Sequence, residues 1–334
     1  RALALGNDVT NTATLNAVNT GSPDGNWVAL GSFGNWLTNA EGDVVIGTWQ
    51  GNYNPVTANA TTTISNAENG YVNWDNGNDP VDTALHNSTL TVSGNQTLAS
   101  ALANQALNVV NASAVNNAAD ATLTNEQYNE GNVTANATQT LENTYWGYGN
   151  VVQNSTIEFN SNVTQAVAVG SKAVNTMTGS AGSSYNGVTA DSAYGTTDNV
   201  GSGYATGQFV VLNGQENTGA ITANATTVIN LTNYSYPNDS VSGSTLAMNN
   251  NSVLASATGN EAVNTLTMTA LNTSNPAGIV SNVQTNTGGV SANAANVALG
   301  INGGTIGLSS MTQLGNRVVA QATGNSATST IIGR

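Results

Sequence analysis

The sequence predicts an all-β chain, a β-solenoid (β-helix) of about nine imperfect coils with loop insertions, with tandem β-sandwich domains as the alternative. Three observations carry that prediction. The first is a motif that occurs four times, in which Gln50, Gln127, Gln215 and Gln284 are each followed two residues on by Asn52, Asn129, Asn217 and Asn286. Four residues after each Asn, a Val or Ile (Val56, Val133, Ile221, Val290) opens a run in which Ala alternates with Thr, Ser or Asn. The second is an interleaved motif ending in glycine at Gly6, Gly94, Gly170, Gly259 and Gly324. The third is the period of two itself, seen in Val56, Ala58 and Ala60 against Thr57, Asn59 and Thr61, which is the signature of a strand with one face buried.

Taken in chain order, the two motif sets are centred on residues 4, 60, 92, 137, 168, 225, 257, 294 and 322. Short steps of 28–32 residues alternate with steps of 37–57, as a repeat array with loop insertions would show. Measured from Gln to Gln the longer repeat is 77, 88 and 69 residues. The whole chain, 1–334, is therefore expected to be one array, with super-repeats near 1–49, 50–126, 127–214, 215–283 and 284–334. The longer period approaches the length of an immunoglobulin-like domain, which keeps the sandwich alternative open, although no core Trp or Tyr recurs at a fixed position. The alternating buried positions are mostly Ala and Val, so the space they face must be narrow. Gly at one point of the repeat, followed in most copies by Asn, suits a turn or strand arc that needs positive φ. Asn, Thr and Gln at equivalent positions are expected to stack into ladders between coils. Both ends carry a repeat motif without a polar cap, which invites end-to-end stacking of subunits. The chain begins at Arg1 with neither an initiator Met nor a signal peptide, as a mature or excised product would.

Composition narrows the function classes. Charged residues are only 7% of the chain, the net charge is −14, and there are four Lys and Arg in all. Nucleic-acid binding needs several cations against phosphates, so that partner is excluded, and docking on anionic lipid is equally disfavoured. The absence of cysteine removes thiolate metal sites and Cys catalysis. No run of 18 apolar residues is present to span a membrane.

The aromatics fall mainly in the insertions. Trp27, Phe33, Trp36 and Trp49 precede the first Gln motif, and Tyr185, Tyr194, Tyr204 and Phe209 lie in the third insertion. Tyr71 with Trp74, Tyr145 with Trp146 and Tyr148, and Tyr234 with Tyr236 follow three of the Ala-rich strands. They read as a cover over the small-residue core or, with Trp74, Trp146 and Tyr236 foremost, as a glycan-contacting face. The densest group of oxygen ligands is Asp75, Asp79 and Asp82, a candidate calcium site that has the composition of a tight turn but not the spacing of an EF-hand. No other cofactor is indicated. His86 is the single histidine and has no nucleophile context. No catalytic motif is present, and the scattered carboxylates form no glycosidase pair. The fourteen Asn-x-Ser/Thr triplets are what so Asn-rich a chain contains by chance.

The words around Val283, Gln284, Asn286, Val290 and Ala292, with Ala322, Asn325 and Ala327, resemble the Ala/Asn/Gly-rich repeats of alphaproteobacterial holdfast-anchor surface proteins. That resemblance implies a cell-surface protein that tethers an adhesive polysaccharide, and it brings no catalytic residues. Curli-like subunits share repeated Gln and Asn, but their repeats are shorter and more regular. The expectation is a non-enzymatic protein of the extracellular space or outer cell surface. It would assemble end to end with itself as a filament or anchor subunit, with surface polysaccharide as a further partner, and serve adhesion or biofilm cohesion. A glycan-binding adhesin or phage-fibre module and a polysaccharide-degrading β-helix are the alternatives.

Overall fold

The computed structural model describes residues 1–18, 28–33, 36–40, 42–69, 85–116, 119–147, 152–182, 189–193, 203–235, 240–272, 275–296, 300–302, 305–307 and 309–334; of some strand residues among these only the backbone is described. The chain opens with β1 (Ala2–Ala17), followed by β2 (Val28–Phe33) and β3 (Trp36–Ala40). A series of five strands then runs through β4 (Val44–Asn52), β5 (Val56–Asn69), β6 (Leu85–His86), β7 (Thr89–Ser93) and β8 (Gln96–Ala114). The series recurs as β9 (Ala121–Asn129), β10 (Val133–Gly147), β11 (Val152–Gln153), β12 (Thr156–Asn160) and β13 (Val163–Ala181). Two strands, β14 (Thr189–Ala193) and β15 (Gly203–Thr206), interrupt it. It returns as β16 (Phe209–Asn217), β17 (Ile221–Ser235), β18 (Ser240–Ser242), β19 (Thr245–Asn249) and β20 (Ser252–Ala270). A last round comprises β21 (Gly278–Asn286), β22 (Val290–Asn296), β23 (Gly300–Asn302), β24 (Thr305–Gly307), β25 (Ser310–Leu314) and β26 (Arg317–Gly333).

Apart from β2, β3, β14 and β15, each strand pairs in parallel with its counterpart one series away, which makes five parallel sheets. A long sheet has the order β1-β8-β13-β20-β26. A Gln/Asn sheet is β21-β16-β9-β4, and an Ala sheet is β22-β17-β10-β5 with β23 continuing on β17. Two narrow sheets, β24-β18-β11-β6 and β25-β19-β12-β7, complete the set. Register is continuous: Gln50, Gln127, Gln215 and Gln284 lie side by side, as do Ala58, Ala135, Ala223 and Ala292.

This arrangement corrects the expected series of nine equivalent coils. The two motif sets do not stack on one another. The Gln-x-Asn motif spans the corner from the Gln/Asn sheet into the Ala sheet, while most of the glycine motifs lie in the long sheet across the core. The motif around Gly94 is a third thing, because residues 90–92 belong to β7 and the true partner of Ala4 is Ala101 in β8. Nor do the strands form self-contained sandwiches, since every parallel pair joins residues from different super-repeats.

Three apolar clusters fill the space between the sheets. The first half of each long strand packs Ala on Ala against the Ala sheet, as with Ala166 and Ala168 against Ala135 and Ala137. The narrow gap expected from the Ala and Val pattern is found here. The second half packs against the Gln/Asn sheet through Val110, Met177 and Leu266 facing Leu123, Phe209 and Val211. Phe209 is thus a core residue of β16, fully buried, and not an insertion aromatic. The far ends of β5, β10 and β17 close against the narrow sheets through Ile157, Phe159, Leu246 and Met248.

The insertions meet one another. β14 pairs antiparallel with both β3 and β15, and β2 with β3, so two segments about 150 residues apart in sequence form a single four-stranded sheet. This sheet approaches the outer side of β9, β16 and β21. There Val210 and Leu212 are buried with Ile279 packed on them.

Candidate functional site, the stacked amide ladders

Amide side chains at equivalent positions are joined from strand to strand. In the Gln/Asn sheet, Gln127 Nε2 donates to Gln50 Oε1 at 2.6 Å, Gln215 to Gln127 at 2.7 Å, and Gln284 to Gln215 at 2.6 Å. The second hydrogen of each amide crosses the core to a backbone carbonyl of the long sheet, at Gln105, Lys172, Glu261 and Ser326. The Gln of the motif is therefore a tie between two sheets as well as a link between strands. Such buried amides must be satisfied, because an orphaned polar group costs about 1–3 kcal/mol.

The Asn of the motif shapes the corner into the Ala sheet. Asn129 Nδ2 donates to the Gly131 carbonyl two residues on, and Asn217 to Gly219, both at 2.9 Å. The same amides stack from Asn52 to Asn129 at 2.8 Å, Asn129 to Asn217 at 2.6 Å, and Asn217 to Asn286 at 2.7 Å. Facing these corners stand the glycines of the long sheet. A Cβ on Gly170 would lie 2.8 Å from Asn217 Oδ1, and one on Gly259 2.5 Å from Asn286 Oδ1. Gly170 and Gly259 thus stand at a close approach that leaves little room for a Cβ, although β8 places Ala103 at the equivalent position. Gly6 and Gly324 share that strand position. Only Gly94 has the positive φ that the sequence suggested, at 71°, in the corner between β7 and β8. Its counterparts Ser161, Asn250 and Gly315 have φ of 57°, 57° and 66°, so the left-handed corner recurs with three residue types.

Further ladders run beside these, one of them through the Asn-Thr pairs that follow three of the glycine motifs at Asn11, Asn175 and Asn264. Asn11, Asn108, Asn175 and Asn264 link at 2.9, 2.9 and 2.8 Å through the interior of the long sheet. Asn125, Asn213 and Asn282 do the same in the Gln/Asn sheet, and the two ladders cross-bond where Asn175 reaches Asn213 at 3.1 Å. At the corners, Asn95, Asn162, Asn251 and Asn316 form another stack, with Ser88, Ser155, Ser244 and Ser309 seven residues before each. That fourfold Ser-to-Asn spacing was present in the sequence, and aligning the chain on the long period would have exposed it.

Of the other residues singled out, Trp74, Asp75, Asp79, Asp82 and Tyr236 lie outside the described residues. Trp146 has its backbone in β10 beside Tyr234 and Asn69, and His86 has its backbone in β6; their side chains are not described. Among the described residues no group of three or more His, Cys, Asp or Glu gathers as a metal site.

One titratable pair stands out. Asp43 and Asp120 occupy matching positions just before β4 and β9, and Asp120 Oδ1 accepts the Asp43 backbone N–H at 2.7 Å. Asp120 is only 3% exposed. Burial pushes its carboxyl up from 3.8 to about 6, with the neighbouring Asp43 carboxylate adding to the rise against the backbone N–H, which lowers it. A raised folded-state value means that the protonated form stabilises the fold. That contribution is whole below pH about 4 and is lost as pH rises through about 6. Replacing Asp120 with Asn, neutral at every pH, is expected to remove about 1–3 kcal/mol of pH-dependence across that window. The difference in melting temperature between variant and wild type, measured from pH 4 to 7, should widen in the variant's favour; a constant difference would refute it.

No described helix is long and apolar enough to cross a membrane. No family model, curated protein or solved structure matches the chain.

Proposed function

We propose that the chain is a non-enzymatic structural protein of the extracellular space or outer cell surface, built as a wide β-solenoid whose turns are the super-repeats. It would serve as a filament or anchor subunit in adhesion or biofilm cohesion. The observation that carries the reading is the set of amide ladders, the longest continuous through four parallel strands and polar along the stacking direction. Asn7 donates to Asn104, Asn260 to Asn325, and Asn52 through to Asn286, always from the earlier strand to the later one. In the Gln ladder the direction is reversed throughout. A second copy placed on β26 with Ala2 over Ala320 would also set Ala4 over Ala322, Gly6 over Gly324 and Asn7 over Asn325, the residues that β1 and β26 share at equivalent register.

This mechanism uses backbone pairing and side-chain ladders and needs neither cofactor nor catalytic group. Its energy comes from edges that strands otherwise leave open. Half-exposed Lys172 and Glu261 pair at 3.0 Å on the outer face, but such a surface pair adds little. Negative-stain electron microscopy of purified protein, across a range of concentration, is the direct test. Unbranched filaments of constant width are the expected result, and monodisperse single particles at all concentrations would overturn the reading.

A further inference from the structure

The outward face of the Ala sheet is a second regular surface, distinct from the strand edges. Its first row is Thr57, Thr134 and Thr222, continued by Ser291. The next is Asn59, Asn136, Asn224 and Asn293, joined at 2.8, 2.9 and 2.8 Å. Thr61, Thr138 and Thr226 form the third. All of these side chains are exposed or half-exposed, whereas the alternating Val and Ala beneath them belong to the core.

Three properties set this face apart. It carries no charge in these rows; the first charged outward residue along β10 is Glu142. The outer face of the long sheet, by contrast, holds the Lys172–Glu261 pair and the exposed Leu3, Leu5, Leu107 and Val263, and the outer side of the Gln/Asn sheet lies next to the insertion strands. The rows are also rigid. Thr has a restricted χ1, the Asn amides hold one another, and side-chain ladders oppose sheet twist. Finally, the rows are spaced in two dimensions, at about 4.7–4.9 Å across strands and about 6.4–6.8 Å along them. A prism plane of ice has a shorter repeat close to the first of these distances and a longer repeat somewhat greater than the second.

We infer that this face binds ice. The hydroxyls and amides would occupy lattice positions of ordered water, and the Thr methyls would shelter that water from the bulk. An uncharged, pre-ordered array can do this at little entropic cost, because its side chains are immobile before the ligand arrives. The inference is independent of end-to-end assembly, since stacking subunits would only lengthen the face.

Ice-affinity partitioning tests it: the protein is held in dilute solution while a polycrystalline ice hemisphere grows, and the fraction taken into the ice is measured. The wild type is expected to enter the ice and to shape single crystals. Thr138→Tyr, a bulky group at the centre of the face, should abolish most of the uptake, and Thr138→Val, which keeps the methyl and loses the hydroxyl, should reduce it less. Thr176→Tyr, the same change on the outer face of β13, should leave uptake unchanged. Urea midpoints for all variants establish that each is folded. Exclusion of the wild type from ice, or equal loss in Thr176→Tyr, overturns the inference. So does retention on crystalline chitin or cellulose, lost in Thr138→Tyr, by a protein that ice excludes.

Discussion

Replacing Asn175 with Leu is expected to destabilise the protein by about 3 kcal/mol or more, although the side chains are similar in size and the site is fully buried. Asn175 accepts from Asn108 and donates to both Asn264 and Asn213. Leu makes none of these bonds. Asn264 Oδ1 would lose its donor from β13, and Asn108 Nδ2 would keep only its longer bond to Asn125 at 3.3 Å. Because the ladder is one connected network, the damage should spread across β8, β13 and β20. The companion measurement is Asn136→Ala in the surface ladder. There water replaces the lost bonds, and the cost should stay below about 1 kcal/mol. Urea denaturation of both variants gives the comparison. Equal effects would mean that the buried ladder contributes no more than an exposed one.

A loss of about 3–5 kcal/mol is expected for Phe209→Ala. The ring is fully buried at the junction of the long sheet and the Gln/Asn sheet. Its neighbours at the same register are Ala121 and Gly278. Across the core it covers Gly179, where a Cβ would fall 2.5 Å from the ring. The aromatic thus fills volume that three small residues leave. Gly179→Val in the wild type should also destabilise, by about 1–3 kcal/mol, through overpacking. In the Phe209→Ala background the same valine should enter the vacated space and recover part of the loss. A double-mutant cycle measures that coupling. Additive effects would show that the ring and Gly179 do not share the space.

How much of this could be read beforehand follows from what a period of two encodes. Alternation in Val56, Ala58 and Ala60 identifies a strand and its buried face, and runs of Ala require a narrow gap; both are found. Recurrence of Gln and Asn identifies a stacking register, and the four Gln side chains do lie in one row. Period alone does not say which strand is the neighbour. Two Ala-rich motifs can pair edge to edge or face each other across a core, and both arrangements bury the same residues. Counting them as one series therefore produced nine coils where the chain has two facing sheets. Gly94 and Gly170 both close an alternation of small residues and precede a polar one, yet Gly94 stands at a left-handed φ and Gly170 at a close approach inside a strand.

The sequence by itself determined the strand content, the inward and outward faces, and the residues able to form ladders, since these depend on local alternation and side-chain chemistry. Only the tertiary structure decided the partners. It joined two insertions about 150 residues apart, placed Phe209 in the core and set Asp43 against Asp120. It also lined up Thr and Asn from four strands on one uncharged face. Those outcomes depend on pairing between residues from 65 to about 150 positions apart, which no local pattern encodes and which is settled by the packing of whole sheets.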